Sequence, residues 1–134
     1  GRARVLDGDS LVVKGTEIRL YGIDAPEYRQ TCERGGERWP CGVEAAQALR
    51  TMASGREVSC RAREQDRYGR TVAVCHAAGL DLGNAMVRGG YAIAYGAYER
   101  DEQEARRARR GIWSSSFEPP AAFRARHRGA DRRP

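Results

Sequence analysis

The sequence predicts a mainly β domain with helices attached, of the α+β class: a five-stranded Greek-key barrel with about three helices. Three observations carry that expectation. Apolar residues alternate at period two through the first quarter of the chain, a helical period follows after a loop, and a second strand pair then turns around QDRYGR.

The elements follow in order. Val5 precedes the DGD turn of Asp7–Asp9, Leu11 and Val13 precede the KGT turn of Lys14–Thr16, and Ile18 and Leu20 come after it. Residues two apart share one face of a strand, so each run buries one face, and short Gly-containing turns join neighbours. Tyr28 to Gly42 reads as a loop rich in Gly, Pro and Cys. From Val43 to Ser54 the spacing becomes helical through Val43, Ala46, Leu49 and Met52 or Ala53, with Gly55 as the stop. Val58–Cys60 and Thr71–Cys75 are the arms of a hairpin. Leu80–Arg88 fits a short helix, with Asp81 near its start as N-cap and Gly89–Gly90 closing it. Tyr91–Ala94 is too short to classify, and Tyr98–Arg110 is a charged helix ended by Gly111, with Ile112 and Trp113 packing back on the core. Three strands, a helix and two more strands is the order of the OB-fold, a five-stranded Greek-key barrel. The expected layout is one OB-fold domain over 1–118 and an Arg-rich tail over 119–134, where apolar residues thin out and disorder is expected.

Composition narrows the function classes. The 134 residues, 31% charged and 40% hydrophobic, suit one domain with its own core. No apolar run approaches the roughly 20 residues of a membrane-spanning helix. The chain starts at Gly1, so an export signal is expected to have been removed or to lie outside this sequence. Net charge is +6, and of 24 basic residues only Lys14 is lysine. Arginine's planar fork suits phosphate, although the base composition of a gene can also produce that preference. From Arg124 to Pro134 five Arg face one Asp131, which is +4 and leaves +2 for the rest. The body of the domain is therefore not strongly basic.

Cys32, Cys41, Cys60 and Cys75 lack the close spacing of zinc ligands. Four cysteines in a small domain suggest two disulfides. Cys32–Cys41 closes the Gly-rich loop. If QDRYGR turns about Asp66 to Gly69, facing residues sum to 135, which opposes Cys60 and Cys75. Two disulfides point to an oxidising compartment, so a secreted or periplasmic protein is expected.

Chemistry gathers in three segments: VLDGDSL (Val5–Leu11), IRLYGIDAPE (Ile18–Glu27) and QDRYGR (Gln65–Arg70). Each begins or ends an expected strand. Asp9 and Asp24 are short carboxylates that can share a hard cation with backbone carbonyls and water. Glu27 has the longer reach suited to deprotonating a water. Arg19 and Arg70 can hold a phosphate by forked hydrogen bonds. Taken singly, each piece also reads as turn chemistry or a surface charge. Arg19 and Asp24 are an odd number apart, so an ideal strand would point them to opposite faces, and a bend near Gly22 is expected.

In combination these motifs resemble the staphylococcal (micrococcal) nuclease or thermonuclease family, over roughly Arg2 to Phe117. Its DGDT-type loop stands as Asp7-Gly8-Asp9-Ser10, its R-(x)4-D-x-P-E segment as Arg19 to Glu27, and its D-x-Y-G-R hairpin as Asp66 to Arg70. MVRGGYA and the Arg-rich helix ending in GIW match the closing helices. The resemblance implies a Ca²⁺-dependent nuclease hydrolysing DNA and RNA on an OB-fold and leaving 3′-phosphate ends. Carried over, Asp9 and Asp24 would bind Ca²⁺ through carboxylates and Ala25 through its carbonyl. Glu27 would activate water, Arg19 and Arg70 would grip the phosphate, and Tyr68 and Tyr95 would border the nucleotide. The Cys32–Cys41 loop departs from the simplest members and is placed to narrow the site. A monomer is expected. Two rivals stand beside this reading: a non-catalytic OB-fold module binding nucleic acid or protein, and an accessory domain of an envelope or polysaccharide system.

Overall fold

The computed structural model describes residues 1–127. Its elements are β1 (Ala3–Asp7), β2 (Ser10–Val13), β3 (Thr16–Leu20), β4 (Ile23–Asp24), β5 (Cys32–Arg34), β6 (Glu37–Trp39), α1 (Cys41–Ala53), β7 (Ser59–Gln65), β8 (Thr71–Ala77), β9 (Leu80–Asp81), α2 (Leu82–Arg88), β10 (Ile93–Ala94), α3 (Glu99–Ala108), a 3₁₀ turn (Gly111–Ser114) and α4 (Pro120–Arg126). The main sheet runs β1-β2-β3-β8-β7, with β9 added on β8, and curls into a half-barrel. β3 and β8 are parallel and the other pairs antiparallel. That five-strand path with helices is the α+β, OB-like architecture the element order predicted.

The period-two residues do bury one face. Ala3, Val5, Leu11, Val13, Ile18 and Leu20 pack with Ala45, Leu49 and Ala53 of α1 and Leu82, Met86 and Val87 of α2. Full burial of a side chain such as Leu49 contributes about 1.5–3 kcal/mol. α2 starts one residue after its N-cap, Asp81, whose carboxylate accepts the Asn84 N–H at 3.2 Å. A second, smaller core gathers Cys32, Cys41 and Ile112 with Trp39, Trp113 and Phe117 around it.

The structure departs from the expectations or adds to them in several places, the first being that Leu80–Asp81, expected as the start of a helix, is strand β9. The Tyr28–Gly42 loop contains a hairpin, with Cys32 opposite Trp39 and Gly35–Gly36 as its two-residue turn. Tyr91–Ala94 holds β10, which pairs Ile93 with Asp24 and Ala94 with Ile23. The β7–β8 turn is longer than expected: Gln65 opposes Thr71, a sum of 136, and a bulge between Ala62 and Glu64 restores 135 from Ala62–Ala73 onward. Cys60 therefore does face Cys75, because the bulge corrects the register. Finally, residues 120–126 form α4 where disorder was expected. Pro120 opens this helix and is buried, so the Pro–Pro step is a helix start rather than the end of order. The remainder of the expected tail, residues 128–134, lies outside the described residues.

Both disulfides are present, Cys32–Cys41 and Cys60–Cys75, with sequence separations of 9 and 15. The second ties two adjacent strands of the sheet. Replacing Cys60 and Cys75 together by Ser is expected to lower unfolding free energy by about 3 kcal/mol, the loop-closure value for such a span. Urea denaturation measures this, and an unchanged midpoint contradicts it.

Candidate functional site

β3 sets one wall of the site. Its outward residue Arg19 stands between Ser10 of β2 and Val72 of β8. The chain then bends: Gly22 has φ +81°, a conformation that side-chain-bearing residues seldom adopt, and a Cβ there would meet Ala97 and Tyr98. The bend ends β3 and starts the short strand β4, which β10 holds in place. Asp24 is thereby turned back toward Arg19, as the parity of the two positions demanded.

The contacts are direct. Arg19 pairs with Asp9 at 3.1 Å and Asp24 at 3.6 Å, and its guanidinium donates to the Ile23 carbonyl at 3.2 Å. The Ala25 N–H donates to the same Asp9 oxygen at 3.0 Å. Asp7 fixes the loop below: one of its carboxylate oxygens accepts the Ser10 hydroxyl at 2.6 Å and the Asp9 N–H at 3.3 Å. The DGDS turn thus aims Asp9 at the backbone of Ala25.

Glu27 is placed by the next turn. Its N–H donates to the Gln30 side-chain oxygen at 3.1 Å, and its carbonyl accepts the Gln30 N–H at 2.8 Å. The Gln30 carbonyl accepts from Gly42 at 3.1 Å, so the start of α1 braces this turn. A side chain at Gly42 would run into the Glu27 carbonyl oxygen. From the C-terminal side, Arg124 of α4 donates both guanidinium nitrogens to Asp24, at 3.1 and 3.2 Å, and one of them to Glu27 at 2.8 Å.

Electrostatics reflect this crowding. Burial alone would raise the Asp9 carboxyl, but the Arg19 charge and the hydrogen bonds from its neighbours carry it below the ordinary carboxylate value. Asp24 goes the other way. Burial pushes it up and the negative Asp9 adds to that, against the opposing pull of Arg124 and Arg19. The two buried carboxylates repel one another, and the guanidiniums of Arg19 and Arg124 offset that repulsion.

The structure brings Asp9, Arg19, Asp24, Ala25 and Glu27 together. Arg70 is not in contact with the three acids. It pairs with Asp66 at 2.8 Å and Glu17 at 3.6 Å, at the lower end of β3. Tyr68 is on the same turn and 71% exposed, with Arg67 stacked at 5.1 Å. Tyr95 is 68% exposed and donates its N–H to the Gly22 carbonyl at the bend. Sequence reasoning missed Arg124, Gln30 and the latching role of Asp7. Only Arg124 carried a signal, since a Pro at N1 followed by good helix formers marks a helix start.

Among the described residues no group of three or more His, Cys, Asp or Glu is arranged as a metal cluster. The oxygen donors that remain are the two buried carboxylates of Asp9 and Asp24, with the Ala25 N–H fixing one of them. That oxygen-only chemistry fits a hard divalent cation completed by water.

Comparison with known proteins adds the following. The family model for staphylococcal nuclease homologues matches residues 17–115. The chain is 35% identical over 133 residues to the succinoglycan biosynthesis protein ExoI of Rhizobium meliloti (strain 1021), covering 92% of this chain and 69% of that protein. It is 35% identical over 136 residues to an uncharacterized endonuclease of Escherichia coli O157:H7, covering 93% and 82%. It is 33% identical over 115 residues to the probable staphylococcal-like nuclease CAN1 of Oryza sativa subsp. japonica, covering 81% of this chain and 32% of that protein.

Changing Gly42 to Ala is expected to displace the turn that carries Glu27. Overpacking of this kind costs about 1–3 kcal/mol. Thermal or urea unfolding reads it out, and a variant as stable as the parent contradicts the bracing role of Gly42.

Proposed function

The chain belongs to the staphylococcal nuclease family, and from that premise we propose that it is a Ca²⁺-dependent phosphodiesterase acting on DNA and RNA. One observation carries the proposal: Asp9 and Asp24 share the Arg19 guanidinium, and Asp24 and Glu27 share that of Arg124, so three carboxylates from separate segments gather in one charge cluster. Asp9, Asp24 and the Ala25 carbonyl are the residues to hold Ca²⁺. When bound, the ion polarises a phosphate oxygen and offsets charge developing on it.

The chain's own groups do the rest. Glu27 takes a proton from a water, whose oxygen attacks phosphorus as the bond to the 5′ oxygen breaks. The leaving oxygen takes a proton from solvent water, and the ends left are a 3′-phosphate and a 5′-hydroxyl. Arg19 holds the phosphate through Nη2, exchanging its longer contact with Asp24 for it while Nη1 stays on Asp9. Arg70 joins it on substrate binding, by exchanging Asp66 or Glu17 for phosphate. Tyr68 and Tyr95, both exposed, offer faces for bases, a contact of about 1–3 kcal/mol per base. The two disulfides support a secreted or periplasmic location. No helix among the described residues is long and apolar enough to cross a membrane, and a monomer is the simplest assembly.

The relative named for succinoglycan biosynthesis favours a second reading, in which the same domain serves an envelope polysaccharide system.

Digestion of single-stranded DNA with millimolar Ca²⁺ tests the first. Cleavage is expected, is abolished by EGTA, and falls about 10²–10⁴-fold in Glu27→Ala, the usual contribution of a general base. Intact DNA with Ca²⁺, or equal cutting by the variant, contradicts the catalytic assignment.

A further inference from the structure

α4 is not an appendage that happens to touch the site. Residues leading into it are bonded to the disulfide-closed hairpin: Ser116 and Glu33 exchange two backbone hydrogen bonds, at 2.7 and 2.9 Å. The buried Gln30, which carries the Glu27 turn, donates its side-chain amide to the Glu118 carbonyl at 2.7 Å. Glu118 in turn accepts two bonds from Arg126, both 2.8 Å. Phe117 packs edge-on to Trp113 at 5.2 Å, and Pro120 is buried. This chain of contacts fixes where Arg124 points.

Arg124 then does what a cation would do. Its fork spans both oxygens of Asp24 and reaches Glu27, so the carboxylate given to the metal and the one given to water share one guanidinium. Asp24 is 5% exposed and Glu27 15%, whereas Arg124 is 41% exposed. The acids are fixed, and the arginine can leave into solvent. Arg19 pairs with Asp9 and, through the Asp24 oxygen that also takes Arg124 Nη1, with Asp24. Three carboxylates thus face two guanidiniums, and departure of Arg124 leaves the site one charge more negative.

We propose that α4 is a built-in competitor for the divalent cation: Arg124 occupies the cation position at Asp24 and Glu27, and binding of the ion requires that side chain to withdraw. The inference rests on the reading of Asp24 as a cation ligand. It makes the free protein self-blocked, opened by cation or by a polyanion that takes up the freed guanidinium. A phosphodiester backbone is such a polyanion, so substrate and cation assist one another by drawing Arg124 away from the acids.

Calorimetric titration of the full chain with Ca²⁺ tests this, comparing the parent with Arg124→Gln and Arg124→Ala. A blocker in place nine-tenths of the time weakens apparent affinity about tenfold, so both variants are expected to bind Ca²⁺ about tenfold more tightly. Arg124→Lys, which keeps the charge and loses the fork, is expected to lie between. Unchanged or weaker binding in the neutral variants overturns the proposal, as does absence of Ca²⁺ binding in all four proteins. The failures are separable. Tighter binding without DNA cleavage leaves the competitor in place and removes the nuclease reading. Cleavage with unchanged affinity does the reverse, and a lower cleavage rate at unchanged affinity makes Arg124 a phosphate ligand instead.

Discussion

The ion pairs of Arg19 with Asp9 and Asp24 are the constraint on which the rest of the site depends. Two carboxylates, each almost fully removed from water, cannot sit together in a domain this small without a compensating charge. Arg19 supplies it from near the C-terminal end of β3, where its backbone is held between β2 and β8. The DGDS turn, the Gly22 bend and the β4–β10 pair are each arranged so that one acid arrives at that guanidinium. The barrel is therefore a rigid frame for a charge cluster, and the cluster is what the frame positions for chemistry.

Much of this was legible because it was local. Period-two alternation gave β1 to β3, a cap-and-glycine pattern gave α2, and the odd spacing of Arg19 and Asp24 required a bend where Gly22 provides one. The Cys60–Cys75 pairing was also legible, though for a partly mistaken reason. The turn is one residue longer than the sequence suggested, and a bulge at Arg63 cancels the error. Nothing in the residues around Arg63 announces that bulge, since it depends on how β7 meets β8 in three dimensions.

What stayed hidden was set by long-range contact. Arg124 lies 100 residues from Asp24, in a stretch whose arginine content resembles that of a solvated tail. Its order comes from the Cys32–Cys41 hairpin, Glu118 and the buried Pro120, and of these only Pro120 marks a helix start in the local sequence. Gln30 was equally silent, because a lone glutamine in a loop gives no hint that both its amide atoms and its backbone are used. Arg70 is the opposite case. The sequence grouped it with the acids, while the structure pairs it with Asp66 and Glu17.

The most direct measurement of the central claim is a double-mutant cycle between Arg19 and Asp9, using Arg19→Met, Asp9→Asn and the pair, followed by urea unfolding. If Arg19 is the charge that keeps a buried Asp9 in place, the two changes are strongly non-additive, with a coupling energy of about 1.5–3 kcal/mol. Additive losses, with coupling near zero, would contradict the account and make Arg19 a bystander to the acids it touches.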